Sequence, residues 1–286
     1  MAFSNLLFGT AGIPSSTNKT SGFNTPSGVR RVKELGLGCM ELEFVRSVNI
    51  TKERAPEVRK AAEEAGVFLT CHGQYFINLN SQDAAKQKAS VDRVLNAARI
   101  ASLCGAWSMC FHAGFFMGQE PANVYEKIKK SMKDIIATLK NEGHTLWIRP
   151  ETTGKPTQFG SIYELVQLSA ELEQVQPCID FAHLHAREGK INTRSEWQDV
   201  LALIEKKLGK EALKQMHIHL NGMVYGLKGE KHHVNLDDPA SDFRYKELLG
   251  VLKEYKVAGT VTCESPDPQG DALVLKKTYE KEENLP

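Results

Sequence analysis

The chain alternates short apolar runs with longer stretches in which apolar residues recur at helical spacing. Each run is too short to form a helix and is bounded by Gly, Pro or polar residues, which is typical of a strand buried on both faces. We therefore predict one strand in each run. The runs are NLLFGTAG (5–12), LGCMELEF (37–44), GVFLTCHG (66–73), AWSMCFHAG (106–114), HTLWIRPET (144–152), QPCIDFAHL (176–184), QMHIHLNG (215–222) and AGTVTCES (258–265).

The stretches between the runs predict amphipathic helices. Several of them end in Gly, the residue expected just beyond a helix C-terminus. Roughly eight β–α units in 286 residues are typical of an α/β protein with one closed (β/α)₈ TIM barrel, here a single domain spanning 1–286. An open doubly wound sheet would also fit the alternation. No GxGxxG follows the first run, however, which disfavours a nucleotide-binding version of that fold.

Composition narrows the class of protein only slightly. Hydrophobic residues make up 41% and charged residues 25% of the chain, and the net charge is +1, which neither supports nor excludes a nucleic-acid partner. The cysteines form no CxxC pair, the N-terminus lacks the pattern of a signal peptide, and no segment approaches the ~20 apolar residues of a membrane span. We expect a cytoplasmic monomer with reduced thiols, no membrane partner and a frayed tail over KKTYEKEENLP (276–286).

Residues able to bind a metal ion recur where the predicted strands end. In a (β/α)₈ barrel the carboxyl ends of all strands meet at one face, where the active sites of this fold lie. Such residues at the ends of successive predicted strands, from the third to the eighth, therefore predict one shared site. These residues are His72, His112, Glu151, Asp180, His183, His219 and Glu264.

The types of these side chains indicate which metal they would hold. Imidazole nitrogen and carboxylate oxygen without thiolate suit Zn²⁺, Mn²⁺ or Fe²⁺. A catalytic zinc uses about three protein ligands, so this larger set implies two or three ions, and ions ~3.5–4 Å apart suit phosphate-ester hydrolysis. A single His at a strand end is more often a hydrogen-bonded structural residue. We interpret His144, His185 and His217 in that way.

Six short segments follow one another in a characteristic order: HGQYFINL (72–79), FHAG (111–114), PETTG (150–154), CIDFAHLHA (178–186), HLN (219–221) and CESPDP (263–268). Together they resemble the endonuclease IV family of DNA-repair enzymes. The resemblance runs over essentially the whole chain. The combination is specific, although ETTG or HLN alone would be a weak signal.

The resemblance implies a (β/α)₈ barrel with three zinc ions that cleaves the phosphodiester on the 5′ side of an abasic site in double-stranded DNA and leaves a 3′-hydroxyl. The candidate ligands named above match the family's metal ligands, and Glu151 matches a bridging carboxylate that orients the nucleophile. Tyr75 and Phe76 match positions that enter the DNA beside the lesion. The loop FVRSVNI (44–50) is shorter than its bacterial counterpart, and Arg46 is the candidate DNA contact there.

The loop after the seventh predicted strand departs from the family, whose bacterial members have Asp-Arg-His there with the Asp and the His as ligands. This chain reads GEKHHVNL (229–236). Aligning on the apolar residue beyond the His makes His233 the ligand and places Lys231 at the Asp position. We prefer this alignment, with Glu230 replacing the lost carboxylate. Aligning on the acid instead makes Glu230 and His232 the pair, so the third metal site stays open.

Three functions are compatible with these observations. The leading hypothesis is an abasic-site endonuclease with two or three zinc ions, or with manganese, acting on double-stranded DNA. The alternative is a metal-dependent sugar isomerase or epimerase of the xylose isomerase type, which shares the barrel but usually relies on Glu and Asp with few His. The third is a barrel that binds metal or nucleic acid without catalysis. The His-rich ligand set favours the first.

Overall fold

Strands and helices alternate along the chain in the computed structural model, which describes residues 3–17 and 23–281. Within these residues no helix is both long enough and apolar enough to span a membrane. The strands are β1 (Leu6–Ala11), β2 (Cys39–Glu43), β3 (Phe68–His72), β4 (Ser108–Phe111), β5 (Gly114–Phe115), β6 (Trp147–Pro150), β7 (Gln158–Phe159), β8 (Cys178–Asp180), β9 (Met216–Leu220), β10 (Gly222–Gly226), β11 (Gly229–Val234) and β12 (Gly259–Cys263). The helices are α1 (Thr25–Glu34), α2 (Ala55–Ala65), α3 (Ala84–Leu103), α4 (Pro121–Asn141), α5 (Ile162–Glu171), α6 (Phe181–Glu188), α7 (Arg194–Leu208), α8 (Tyr245–Glu254) and α9 (Pro268–Lys281), with a 3₁₀ turn at Lys210–Lys214.

Eight of these strands, one from each predicted run, pair in the order β6–β4–β3–β2–β1–β12–β9–β8, and every pairing is parallel. The edge strands β6 and β8 also meet through parallel bridges from Ile148 to Val175 and from Glu151 to Cys178. The sheet therefore closes into a (β/α)₈ barrel, which confirms the predicted fold class. Because all eight strands run in the same direction, their carboxyl ends lie at one face.

The sixth predicted run is only partly a strand. β8 ends at Asp180, whose Oδ1 accepts a hydrogen bond of 2.7 Å from the backbone N–H of His183 and so caps α6. The prediction that His183 ends a strand is therefore wrong, because His183 lies in the first turn of a helix. It remains beside Asp180 at the carboxyl end of the barrel, since the helix starts directly where the strand stops.

Two further segments differ from the predictions. The segment GEKHHVNL (229–236), expected to be a loop, contains β11, which pairs with β10 in an antiparallel hairpin. The tail, expected to be frayed from residue 276, is helical as far as Lys281, because Tyr279 packs against Phe8 with ring centroids 5.4 Å apart. Residues 282–286 lie outside the described part of the chain.

Alternate positions along the barrel strands differ in polarity. Apolar side chains such as Met109 and Ile218 belong to the main hydrophobic core. Glu41, Ser108 and His217, by contrast, come from strands that are not neighbours, yet they touch inside the barrel. A Glu41 oxygen lies 2.9 Å from His217 Nε2, and Ser108 Oγ lies 2.9 Å from its Nδ1. This interior is unusually polar for a fold whose barrel is normally filled by branched apolar residues.

Arg149 fills the amino-terminal end of the barrel. Its buried guanidinium donates hydrogen bonds of 2.9 Å to the carbonyl of Pro177 and 2.6 Å to that of Gln215. Both carbonyls precede a strand, and the Trp107 ring lies 5.0 Å from the guanidinium carbon. The side chain thus satisfies buried acceptors that the sheet itself leaves unpaired.

We expect Arg149→Ala to lower the free energy of unfolding by about 3–5 kcal/mol, because it leaves two buried carbonyls unpaired and opens a cavity. Denaturant unfolding followed by circular dichroism measures this loss. Arg194→Ala is the control: its salt bridge with Glu254 is exposed, and its loss should cost about 0–1 kcal/mol. Equal losses in the two variants would show that Arg149 does not support the barrel.

Candidate metal centre

The carboxylate of Glu151 lies at the centre of the predicted ligands. Its Oε2 is 3.2 Å from His72 Nε2 and 3.4 Å from His112 Nε2, and its Oε1 is 3.3 Å from His183 Nδ1 and 3.2 Å from His219 Nδ1. Glu151 is buried, and its Oε2 has no hydrogen-bond partner of good geometry in the described structure. A carboxylate surrounded by imidazoles on both oxygens has the arrangement of a ligand that bridges metal ions.

The electrostatics of this arrangement attract cations. Burial by itself raises the pKa of the Glu151 carboxyl, but the charges of His219 and His112 outweigh it and hold that pKa well below its usual range. Burial likewise lowers the pKa of the His72 imidazole, but the hydrogen bond and charge of Glu151 outweigh it and raise that pKa well above its usual range. Negative charge at the centre is thus stabilised by positive charge around it, whether protons or metal ions supply it.

Four carboxylate and imidazole ligands form the first group. Glu151, Asp180, His219 and Glu264 each offer one ligand atom, and these atoms lie within 4.8 Å of one another. His219 Nδ1 is 3.3 Å from Glu264 Oε2. Asp180 is held in place because its Oδ2 accepts a hydrogen bond of 2.9 Å from the Asn221 amide. This group alone could hold one divalent ion.

A second group joins the barrel to the β10–β11 hairpin. His183, Glu230 and His233 also offer ligand atoms within 4.8 Å of one another. His183 Nε2 is 3.3 Å from His233 Nε2 and 3.7 Å from Glu230 Oε2. His232 and Lys231 are exposed on the hairpin. The structure therefore brings Glu230 and His233 to the site and leaves His232 outside it, which is the arrangement of the preferred alignment.

Backbone carbonyls orient three of the imidazoles. When Nδ1–H donates to a carbonyl, Nε2 keeps its lone pair and can bind a metal ion, as is usual for metal-binding histidines. In His72 this nitrogen faces Glu151, whereas in His183 it faces Glu230 and His233. His219 is turned the other way, with Nε2 2.9 Å from Glu41 Oε1 and Nδ1 facing the cluster. The three carbonyl contacts are His72 Nδ1 with Gly73 O at 2.7 Å, His183 Nδ1 with Thr152 O at 3.1 Å and His233 Nδ1 with Glu264 O at 3.1 Å.

The candidate ligands form overlapping groups. A further overlapping group, His112, Glu151 and His183, also has its ligand atoms within 4.8 Å, and Glu151 is common to it and to the four-residue group. Nitrogen and oxygen donors in this proportion suit Zn²⁺ or Mn²⁺. The buried clusters identify a metal-binding barrel.

Two exposed aromatic residues lie beside the ligands at the rim. The exposed fractions of Tyr75 and Phe76 are 62% and 63%, and the Tyr75 ring centroid is 5.9 Å from that of His72. Arg46 is also exposed, and its backbone carbonyl accepts a hydrogen bond of 3.2 Å from the Gln74 side chain. The three predicted DNA contacts therefore share one edge of the site.

Two glutamates of β2 belong to the site although the sequence analysis did not single them out. Glu41 and Glu43 alternate on one face of the strand, and the carboxylate oxygens of Glu41 lie 2.9 Å from Nε2 of His217 and of His219. Burial, followed by the charge of Glu41, raises the pKa of Glu43 to about 8. The signal that could have found them is a pair of acids at alternate positions in an otherwise apolar run.

The histidines interpreted as structural have ordinary hydrogen-bond partners. His144 Nδ1 is 2.9 Å from Ser102 Oγ, and His185 Nε2 is 2.8 Å from Asp242 Oδ1, both away from the metal cluster. His217 is different, since it lies buried in the barrel directly beneath His219, with their Nε2 atoms 3.3 Å apart. His144 and His185 therefore make the kind of contact expected of structural histidines.

Two known proteins illustrate the sequence similarity of this chain to others. An uncharacterized protein of Methanocaldococcus jannaschii is 38% identical over 275 residues, covering 96% of this chain and 97% of the relative. A probable endonuclease 4 of Persephonella marina is 25% identical over 189 residues, covering 63% of this chain and 66% of the relative.

Solved structures show the same fold. Endonuclease IV from Thermus thermophilus superposes with a TM-score of 0.70 at 19% identity, covering 96% of this chain and 100% of that one. A D-tagatose 3-epimerase-like protein also gives 0.70, at 14% identity, covering 89% of this chain and 91% of that one. Fold similarity therefore does not separate the two functions. The family profile described as xylose isomerase-like TIM barrel matches residues 29–283, and the chain belongs to this family.

Proposed function

We propose that this protein is a DNA-repair hydrolase that cleaves the phosphodiester on the 5′ side of abasic sites in double-stranded DNA and leaves a 3′-hydroxyl. Two or three zinc ions, with manganese as an alternative, would be held by the cluster around Glu151. The relatives named as probable endonuclease 4 support this assignment at low identity.

The group formed by His183, Glu230 and His233 carries the proposal. The four-residue group of Glu151, Asp180, His219 and Glu264 suffices for a single ion. Ligands beyond it are superfluous in a one-ion enzyme but necessary in a site that clamps both the attacking and the leaving oxygen of a phosphodiester. The extra histidines around Glu151 therefore support phosphodiester chemistry.

The side chains have distinct roles in this proposal. When bound, the ions supply Lewis acidity that activates water and stabilises charge on the phosphate. Glu151, at the centre of the ligands, orients the water that attacks the phosphate. Tyr75 and Phe76, exposed at the rim, contact the DNA where the missing base leaves a gap, because aromatic rings stack readily on neighbouring bases. An abasic nucleotide has no base to unstack, so its extrusion is inexpensive.

A sugar isomerase or epimerase is the second candidate. The observation that favours it is the four-residue group, which is complete for one ion without any contribution from the hairpin. The similarity in fold to a D-tagatose 3-epimerase-like protein is equal to that with endonuclease IV. In this alternative the histidines outside the four-residue group would have no assigned role.

The metal-loaded protein should nick a duplex that carries one tetrahydrofuran abasic analogue, immediately 5′ to the analogue. This substrate resists β-elimination, so a nick requires hydrolysis. Gel electrophoresis of end-labelled strands gives the position of the cut, and the same duplex with an intact nucleotide is the control. An uncut analogue, combined with interconversion of ketose and aldose sugars, would assign the protein to the second candidate.

Glu151→Gln should keep the fold but lower kcat by ~10²-fold or more, because bridging ions and orienting water both need the negative charge. The melting temperature checks the fold and steady-state nicking gives kcat. Glu247→Gln is a matched control, since Glu247 is exposed and pairs only loosely with Arg244 at 3.8 Å. Turnover near the wild-type rate in Glu151→Gln would remove this carboxylate from the mechanism.

The hairpin ligands can be tested by metal analysis without DNA. We expect His233→Ala and Glu230→Gln each to lower bound metal by about one equivalent, because both residues face His183. His232→Ala is the matched control, as the neighbouring imidazole is exposed and should leave the metal content unchanged. If the metal content of all three variants equals that of the wild-type protein, the hairpin carries no ligand and the cluster around Glu151 works with two ions.

A further inference from the structure

A second set of metal-binding side chains lies inside the barrel, beneath the cluster around Glu151. Cys110 and Cys178 come from β4 and β8, and His217 and His219 both come from β9. The exposed fraction of each of these four side chains is 0%, as it is for the adjacent Glu41. None of these groups except His219 takes part in the proposed hydrolysis, so the others have no assigned function.

The four side chains converge on one point. Their ligand atoms all lie within 4.8 Å of one another. The Nε2 atoms of His217 and His219 are 3.3 Å apart, and Cys110 Sγ is 3.7 Å from His219 Nε2. A tetrahedral zinc with ordinary nitrogen and sulfur bonds would place its ligand atoms about 3.3–3.8 Å apart. The N–N and S–N distances in this structure therefore match the ligand-to-ligand distances around a tetrahedral zinc.

Neighbouring groups orient the ligands and can take up the displaced protons. Ser108 Oγ, 2.9 Å from His217 Nδ1, can accept a hydrogen bond from that nitrogen and leave Nε2 to face the centre. Glu41 lies 2.9 Å from both imidazole Nε2 atoms, so its carboxylate is close enough to take up a proton from His219 Nε2, while His217, with its proton on Nδ1, needs to release none. On binding, the two thiols would release their protons to solvent, and Glu41 would accept the proton from His219.

We propose that Cys110, Cys178, His217 and His219 form an interior site for a thiophilic divalent ion such as zinc, separate from the ions around Glu151. His219 would join the two sites, with Nε2 facing the interior ion and Nδ1 facing Glu151 and Glu264. Two thiolates favour a soft ion over manganese or magnesium. The complete burial of the ligands makes the ion structural, since no position is open to substrate.

Cobalt substitution tests this proposal without DNA. Cobalt bound to thiolate absorbs in the near ultraviolet, and the ligands of the proposed catalytic ions are nitrogen and oxygen. We expect this absorption in the cobalt-loaded wild-type protein. Cys178→Ala should abolish most of it and lower the bound metal by about one equivalent. Cys104→Ala is the matched control, because Cys104 is equally buried but lies at the end of α3, and it should change neither readout.

Cys178 is the informative position because Cys110 also lies within reach of His72 and Glu151. Persistence of the absorption in Cys178→Ala, or its absence from fully loaded wild-type protein, would overturn the proposal and leave the cluster as a hydrogen-bond network. If Cys178→Ala does not fold, Cys178→Ser, which keeps the size of the side chain but removes the thiolate, provides the same comparison. Since neither readout involves nicking, the interior site and the nuclease activity can fail independently.

Discussion

The burial of Glu151 among imidazoles is the interaction on which the rest of the site depends. A carboxylate taken out of water is costly unless positive charge or hydrogen bonds surround it. Here His72, His112, His183 and His219 surround both oxygens at 3.2–3.4 Å. The negative charge of Glu151 would destabilise a barrel with an apolar interior. In this barrel, together with the surrounding imidazoles, it forms a binding site for cations.

The barrel makes this burial possible because it fixes the ligands before any ion binds. Strand ends deliver most of the ligands, and the cap at Asp180 delivers His183 from the first turn of a helix. Backbone carbonyls and Glu41 hold the ring orientations, so little side-chain freedom remains to be lost on binding. The hairpin then extends the cluster beyond what the strands alone supply.

Membership of the xylose isomerase-like family narrows the chemistry without deciding the substrate. The barrel is shared by nucleases and sugar epimerases, and the four-residue group would serve either. In addition to the four-residue group, this chain has further nitrogen ligands above it and a polar interior below it.

The sequence by itself determined the barrel and most of the cluster. The alternation of strands with helices and the direction of the chain can both be derived from the sequence. Residues at the ends of successive strands can therefore be assigned to one face of the barrel from the sequence alone. Three features required the structure. The helix at His183 depends on the cap formed by the short side chain of Asp180. The helical tail depends on the contact of Tyr279 with Phe8, and the hairpin depends on the pairing of β10 with β11. The roles of Glu41, Cys110 and His217 also required the structure. Cys110 is typical of a buried strand, and Glu41 and His217 are polar residues in otherwise apolar runs. Only closure of the barrel brings β2, β4 and β9 together around a common centre.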